Sequence, residues 1–133
     1  ISGSALPIVL IEHPTSSENI KTRTVDYQII GFALDRFAGL GQGSQNSGIN
    51  LVDAYLDAEP ENGGSFLGNA DLGYSDDAAG NAYGPQFASA GWRLTFKPTL
   101  FHSGQHTLFV YAHSIISGKT NLATQSLNIV EGN

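Results

Sequence analysis

The chain has 133 residues, of which 41% are hydrophobic and only 14% charged, with a formal net charge of −6. That length suffices for one domain with a real core. The acidic balance excludes nucleic acid and anionic membrane surfaces as partners, since both need basic patches.

There is no cysteine, which excludes disulfides, thiolate metal sites and a cysteine nucleophile. There is no methionine either, so Ile1 is not an initiator. The expectation is a removed leader, or a domain cut from a longer chain. No apolar run approaches the roughly 20 residues of a membrane helix, so no membrane insertion is expected. No Asn-x-Ser/Thr acceptor occurs.

In chain order, residues 1–6 resemble a linker or connecting segment, and the domain runs over 7–133. Residues 7–12, PIVLIE, hold four consecutive apolar positions and predict a first strand buried on both faces. A turn follows at 13–19. Residues 23–35 predict a long strand, bulged near Gly31, in which Val25, Tyr27 and Ile29 alternate with polar neighbours before the run becomes continuously apolar. Residues 38–48, AGLGQGSQNSG, read as a flexible loop; the GLGQG within it lacks the Lys-Ser/Thr of a phosphate loop.

Residues 50–59 resume alternation, with Val52, Ala54, Leu56 and Ala58 facing in and Asp53, Tyr55, Asp57 and Glu59 facing out. PENGG at 60–64 signals a hairpin, and 65–73 predict one returning strand around Phe66 and Leu67. At 76–87 the pattern changes: Ser75 caps a short helical turn near 75–82, with two aspartates in its first turn. Residues 91–97 predict a strand with Trp92, Leu94 and Phe96 on one face. Residues 104–114, GQHTLFVYAHS, predict the central strand. His106, Leu108, Val110 and Ala112 point one way, and Gln105, Thr107, Phe109, Tyr111 and His113 the other. Residues 121–130 close the sheet. About seven short strands separated by turn signals predict an all-β, immunoglobulin-like sandwich. The predicted core is Tyr27, Ile29, Val52, Leu56, Phe66, Trp92, Leu94, Phe96, Leu108, Val110 and Ile129.

Six segments in this order, GFALDRFA (31–38), VDAYLDA (52–58), SFLGNADLG (65–73), YGPQF (83–87), GWRLTF (91–96) and LFVYAHS (108–114), resemble the immunoglobulin-like β-sandwich modules of secreted and cell-surface bacterial proteins. The resemblance covers nearly the whole chain from Pro7. It implies an extracellular or cell-surface, non-catalytic module with a structural or adhesive role. Where those modules usually carry an aromatic residue, most often tyrosine, at the start of the central strand, this chain has His106. Its imidazole would then have to make the tyrosine-corner bond back to the preceding loop.

Asp57 and Glu59, two apart on one strand face, would root about 6.6–7 Å apart, within the spacing of a glycosidase carboxyl pair. The competing reading is a solvated strand face, and no enzyme is expected. Asp71, Asp76, Asp77 and Asn81 collect oxygen ligands of the kind Ca²⁺ takes, although not at the spacing of an Asp-x-Asp-x-Asp-Gly loop. Helix capping explains them as well, so neither metal nor cofactor is expected. Among His13, His102, His106 and His113, the last two lie an odd number of residues apart and face opposite sides of their strand. Tyr55 and Tyr111, opposite the aliphatic rows, are the residues that would form an exposed carbohydrate platform.

Two functions follow. The first is a structural or adhesive module that contacts copies of itself through its N-terminal segment, Ile1, Leu6, Ile8 and Leu10, and grows a filament or surface array. The second is a carbohydrate-binding module using Tyr55 and Tyr111.

Overall fold

A computed structural model describes residues 6–13, 15, 18–21, 26–98 and 101–131. Among them nine strands form two sheets that pack face to face, and one short helix lies outside them. The strands are β1 (Ile8–His13), β2 (Asn19–Lys21), β3 (Tyr27–Leu34), β4 (Ile49–Leu56), β5 (Ser65–Asn69), β6 (Asp71–Tyr74), β7 (Gly91–Phe96), β8 (Gly104–Ser114) and β9 (Thr120–Val130); the helix α1 spans Asp77–Tyr83. One sheet has the order β1-β3-β7-β6 and the other β2-β9-β8-β4-β5. The sandwich is the expected fold, with two more strands than the sequence pattern counts. The returning strand expected at 65–73 divides at Ala70: β5 pairs with β4, and β6 crosses to pair with β7.

The core lies between the sheets. Ile29, Val52, Leu56, Trp92, Phe96, Leu108, Val110 and Ile129 are at most 2% exposed, and Leu94 is also buried. Alternation puts Val9 and Ile11 of β1 against this core as well. Tyr27 is half-buried at its margin, where its phenol donates to the Glu18 carboxylate. Phe66 corrects the expected core: it is 58% exposed. A register shift between Ala54 and Tyr55 sets Tyr55 against Phe66 and Ala54 against Gly68. The bulge turns Phe66 to the outside and leaves Leu67 to pack on the core.

The continuous apolar run in β3 has a second cause beyond burial between sheets. Phe32 and Leu34 face outward, where Ala79 of α1, Phe87 and Ala90 cover them with Ile8 and Ile116. Helix α1 is capped by Asp76, not by Ser75: the Asp76 carboxylate accepts from the Ala79 amide at 3.0 Å, and Asp77 alone supplies acid in the first turn. Gly31 does not sit in a bulge of its own strand. The register shift lies opposite, between Ile11 and His13 of β1. A Cβ at Gly31 would fall 2.0 Å from the Leu10 carbonyl oxygen and 2.6 Å from the Trp92 ring, so only glycine lets β1 and Trp92 approach from its two sides.

The loop at 38–48 is pinned. Asp35, 1% exposed, accepts from the Phe37 amide and from the Ser114 hydroxyl, which joins β3 to β8 across the sandwich. Gln86 donates to the carbonyls of Ala38 and Asn46 at 2.7 and 3.1 Å. Buried backbone carbonyls need such partners.

Candidate functional site

The outer face of the five-stranded sheet carries the most developed surface feature. Strands β4 and β8 pair antiparallel with Asp53 opposite Tyr111 and Tyr55 opposite Phe109. Because Val52, Ala54, Leu56, Leu108, Val110 and Ala112 are drawn into the core, period-2 alternation must present Asp53, Tyr55, Phe109 and Tyr111 on the other face. Leu51, Asp53, Tyr55, Tyr111, His113 and Thr120 line a recess there of about 230 Å³.

Tyr55 is the hinge of an aromatic strip. Its ring lies 5.2 Å from that of Phe66 and 6.0 Å from that of Tyr111, meeting the latter at 85°. The bulge that expels Phe66 from the core therefore extends the strip across β5, β4 and β8. The polar groups are placed around it. His113 Nδ1 lies 2.9 Å from the Thr120 hydroxyl. The Tyr111 phenol is pushed up, by burial first and then by the nearby carboxylates of Glu59 and Glu61, and it shares a hydrogen bond with Glu59. Burial also raises the Asp53 carboxyl, whose Oδ1 is enclosed without a hydrogen-bond partner.

Tyr55 and Tyr111 stand together, as the alternation requires. Asp53, His113 and Thr120 join them only through the β4–β8 and β8–β9 registers. Sequence reading missed these three as a group because they come from three strands. The outward position of Asp53 was the available signal.

The other candidates are dispersed. Asp57 follows the last residue of β4 with φ 75° and turns to the imidazole of His106, while Glu59 goes to Tyr111. The carboxyl pair expected of these two residues is thus divided between different partners. His106 also places Nε2 2.9 Å from the His102 carbonyl oxygen, so the imidazole does make the bond back to the preceding loop. Asp71 is exposed on β6, Asp76 is the helix cap and Asp77 lies in α1. Among the described residues no three His, Cys, Asp or Glu side chains group as a metal would need.

Of the proposed contact residues, Ile1 lies outside the described residues. Leu6 and Leu10 are 54% and 46% exposed, whereas Ile8 packs on the outer cluster of β3 and α1. Strand β1 is the edge of its sheet.

No protein-family model matches the chain, and no curated protein matches it. Solved structures do. The fibronectin(III)-like modules of Clostridium thermocellum CbhA match over 95% of this chain and 46% of theirs, at 17% identity and a TM-score of 0.54. The endo-beta-1,4-mannanase from Thermotoga petrophila matches over 96% of this chain and 20% of its own, at 11% identity and a TM-score of 0.57. This chain thus spans less than half the length of either. At these identities the likeness shows the fold: a two-sheet β-sandwich of the immunoglobulin and fibronectin(III) type.

Proposed function

We propose that the domain is a non-catalytic module of an extracellular or cell-surface protein, and that the outer face of its five-stranded sheet binds carbohydrate. The observation that carries this reading is the joined strip of Phe66, Tyr55 and Tyr111 beside a recess with a carboxyl, an imidazole and a hydroxyl. Sugars offer apolar ring faces to stack on aromatic side chains and hydroxyls to meet polar ones. Aromatics at a surface present such contact area with few torsions to freeze. At about 230 Å³ the recess is smaller than the roughly 300–1,000 Å³ of drug-sized ligand sites. It suits one ring of a chain that otherwise lies along the open sheet. Likeness in fold to a fibronectin(III)-like module of CbhA and to a fifth of an endo-beta-1,4-mannanase agrees with a place in a carbohydrate-handling chain.

The test is affinity electrophoresis through soluble polysaccharides with the native domain and with Tyr55→Ala and Tyr111→Ala. Retardation that either substitution abolishes is expected. A mobility unaffected by every polysaccharide would overturn the reading.

A second reading is favoured by one observation. Leu6 and Leu10 are exposed on or beside β1, whose outer edge pairs with no other strand among the described residues. An apolar edge strand is a template for another chain. Self-association through the N-terminal segment, giving a filament or surface array, would follow. Deleting residues 1–6 should then abolish assemblies seen by sedimentation and electron microscopy; assemblies that persist would exclude this segment as the connector.

A further inference from the structure

The recess has an acidic side. Asp53 lines it, and Glu59 and Glu61 lie close enough to Tyr111 to raise its phenol. No lysine or arginine lines it; the one basic group is His113, engaged with Thr120. The Asp53 Oδ1 is an enclosed acceptor without a donor, even though Asn69 stands opposite in the β4–β5 register. An unpaired buried acceptor destabilises the fold, more so when it is charged. Asp53 lines the recess, so a bound donor can meet its carboxyl there, and a cationic donor does so most strongly. Burial raises the Asp53 carboxyl, because desolvation disfavours its charged form.

The aromatic geometry points the same way. Tyr55 and Tyr111 meet at 85° with centroids 6.0 Å apart. The rings meet edge to face, which leaves the face of one ring beside the contact, and such faces attract ammonium groups. A neutral sugar would stack on a ring face but would bring no counter-charge to Asp53.

We infer that the recess takes a positively charged amino group on a sugar, so that the module selects chains containing glucosamine-type amino sugars over neutral or acidic ones. The ammonium sits beside the contact of Tyr55 and Tyr111 and donates to Asp53, while the adjoining sugar rings lie along Phe66. This rests on the carbohydrate reading above and adds charge selection to it. The overall charge of −6 assists the encounter with a cationic chain.

The experiment is isothermal titration with a glucosamine oligomer, its fully N-acetylated counterpart, a neutral manno-oligomer and tetramethylammonium, at a pH where the amine is protonated. The glucosamine oligomer should bind at least about tenfold more tightly than its N-acetylated counterpart. Raising the salt should narrow that ratio, because screening acts on the charged ligand. Asp53→Asn should bring the ratio near one, whereas Asp26→Asn, the same loss of charge away from the recess, should leave it unchanged. Equal or tighter binding of the neutral oligomers would overturn charge selection and leave the platform standing. Tetramethylammonium binding that needs Tyr55, without binding of any oligomer, would uphold the charge and overturn the sugar. Full glucosamine affinity in Tyr55→Ala would mean attraction to the general surface and overturn the inference. Silence from all four probes would overturn both readings.

Discussion

His106 presents Nδ1 to both carboxylate oxygens of Asp57, at 2.8 and 2.9 Å, while the ring itself is buried. Its other nitrogen meets the His102 carbonyl at 2.9 Å. A carboxylate and a carbonyl both accept, so each ring nitrogen faces an acceptor. The Asp57 amide also donates to the Thr107 carbonyl at 2.7 Å. The pair therefore ties the end of β4 to the start of β8 and does the work of a tyrosine corner through a side-chain hydrogen bond.

Removing the carboxylate should loosen this end of the sandwich. Asp57→Gly keeps a residue that accepts the φ of 75° while removing the acceptor, at the cost of added backbone freedom in the unfolded chain. We expect a loss of about 1–3 kcal/mol, the range for a buried donor left without its partner. A denaturant titration measures it as a lower midpoint at constant slope. A midpoint shift equivalent to less than about 0.5 kcal/mol, the ordinary range for surface changes, would show that the pair is not structural.

Trp92 is 0% exposed and packs between the sheets with Ile29, Leu94 and Phe96. Trp92→Ala should cost roughly 3–5 kcal/mol, enough to unfold many domains of this size. Loss of cooperative unfolding by circular dichroism is the expected result. A fully cooperative transition within about 1 kcal/mol of the native domain would contradict the packing described here.

Glu12 faces Asp76 on the outer side of β1, and its carboxyl is raised from 4.5 to about 7, by burial first and then by the hydrogen bond and charge of Asp76. A folded value above the unfolded one means that the native state holds the proton more tightly. The contribution is therefore complete below about pH 4.5 and lost as the pH rises through about 7. Thermal unfolding followed across that interval should show stability falling with pH. Glu12→Gln, which keeps a donor for Asp76 at every pH, should flatten the profile. An identical slope in the variant would remove Glu12 from the account.

Asp76 accepts from the Ala79 amide as the cap of α1. Asp76→Ala should lower stability by about 0.5–2 kcal/mol, as loss of such a cap does. Calcium and chelator should both leave the melting temperature of the native domain unchanged, since a ligand of the folded state would have to raise it. A drop with chelator that calcium restores would make 71–81 a metal site.

Period-2 alternation is local and dense, so the sequence by itself determined much of the β-sandwich. The inward rows of β4, β7 and β8 could be named from it, because Val52, Ala54, Leu56, Trp92, Leu94, Phe96, Leu108, Val110 and Ala112 leave one register that buries them all. The same alternation placed Tyr55 and Tyr111 on the opposite face. It could not place Phe66, because one bulge reverses every side chain beyond it and bulges are set by the partner strand. Nor could it divide 65–74 between two sheets, or show that Phe32 and Leu34 are covered by residues about fifty positions later. Alternation could turn Asp53 and His113 outward, but it could not bring them together with Thr120. Their meeting depends on which strands pair and in what register, and those long-range choices minimise exposed apolar surface over the whole chain, so only the tertiary structure decides them.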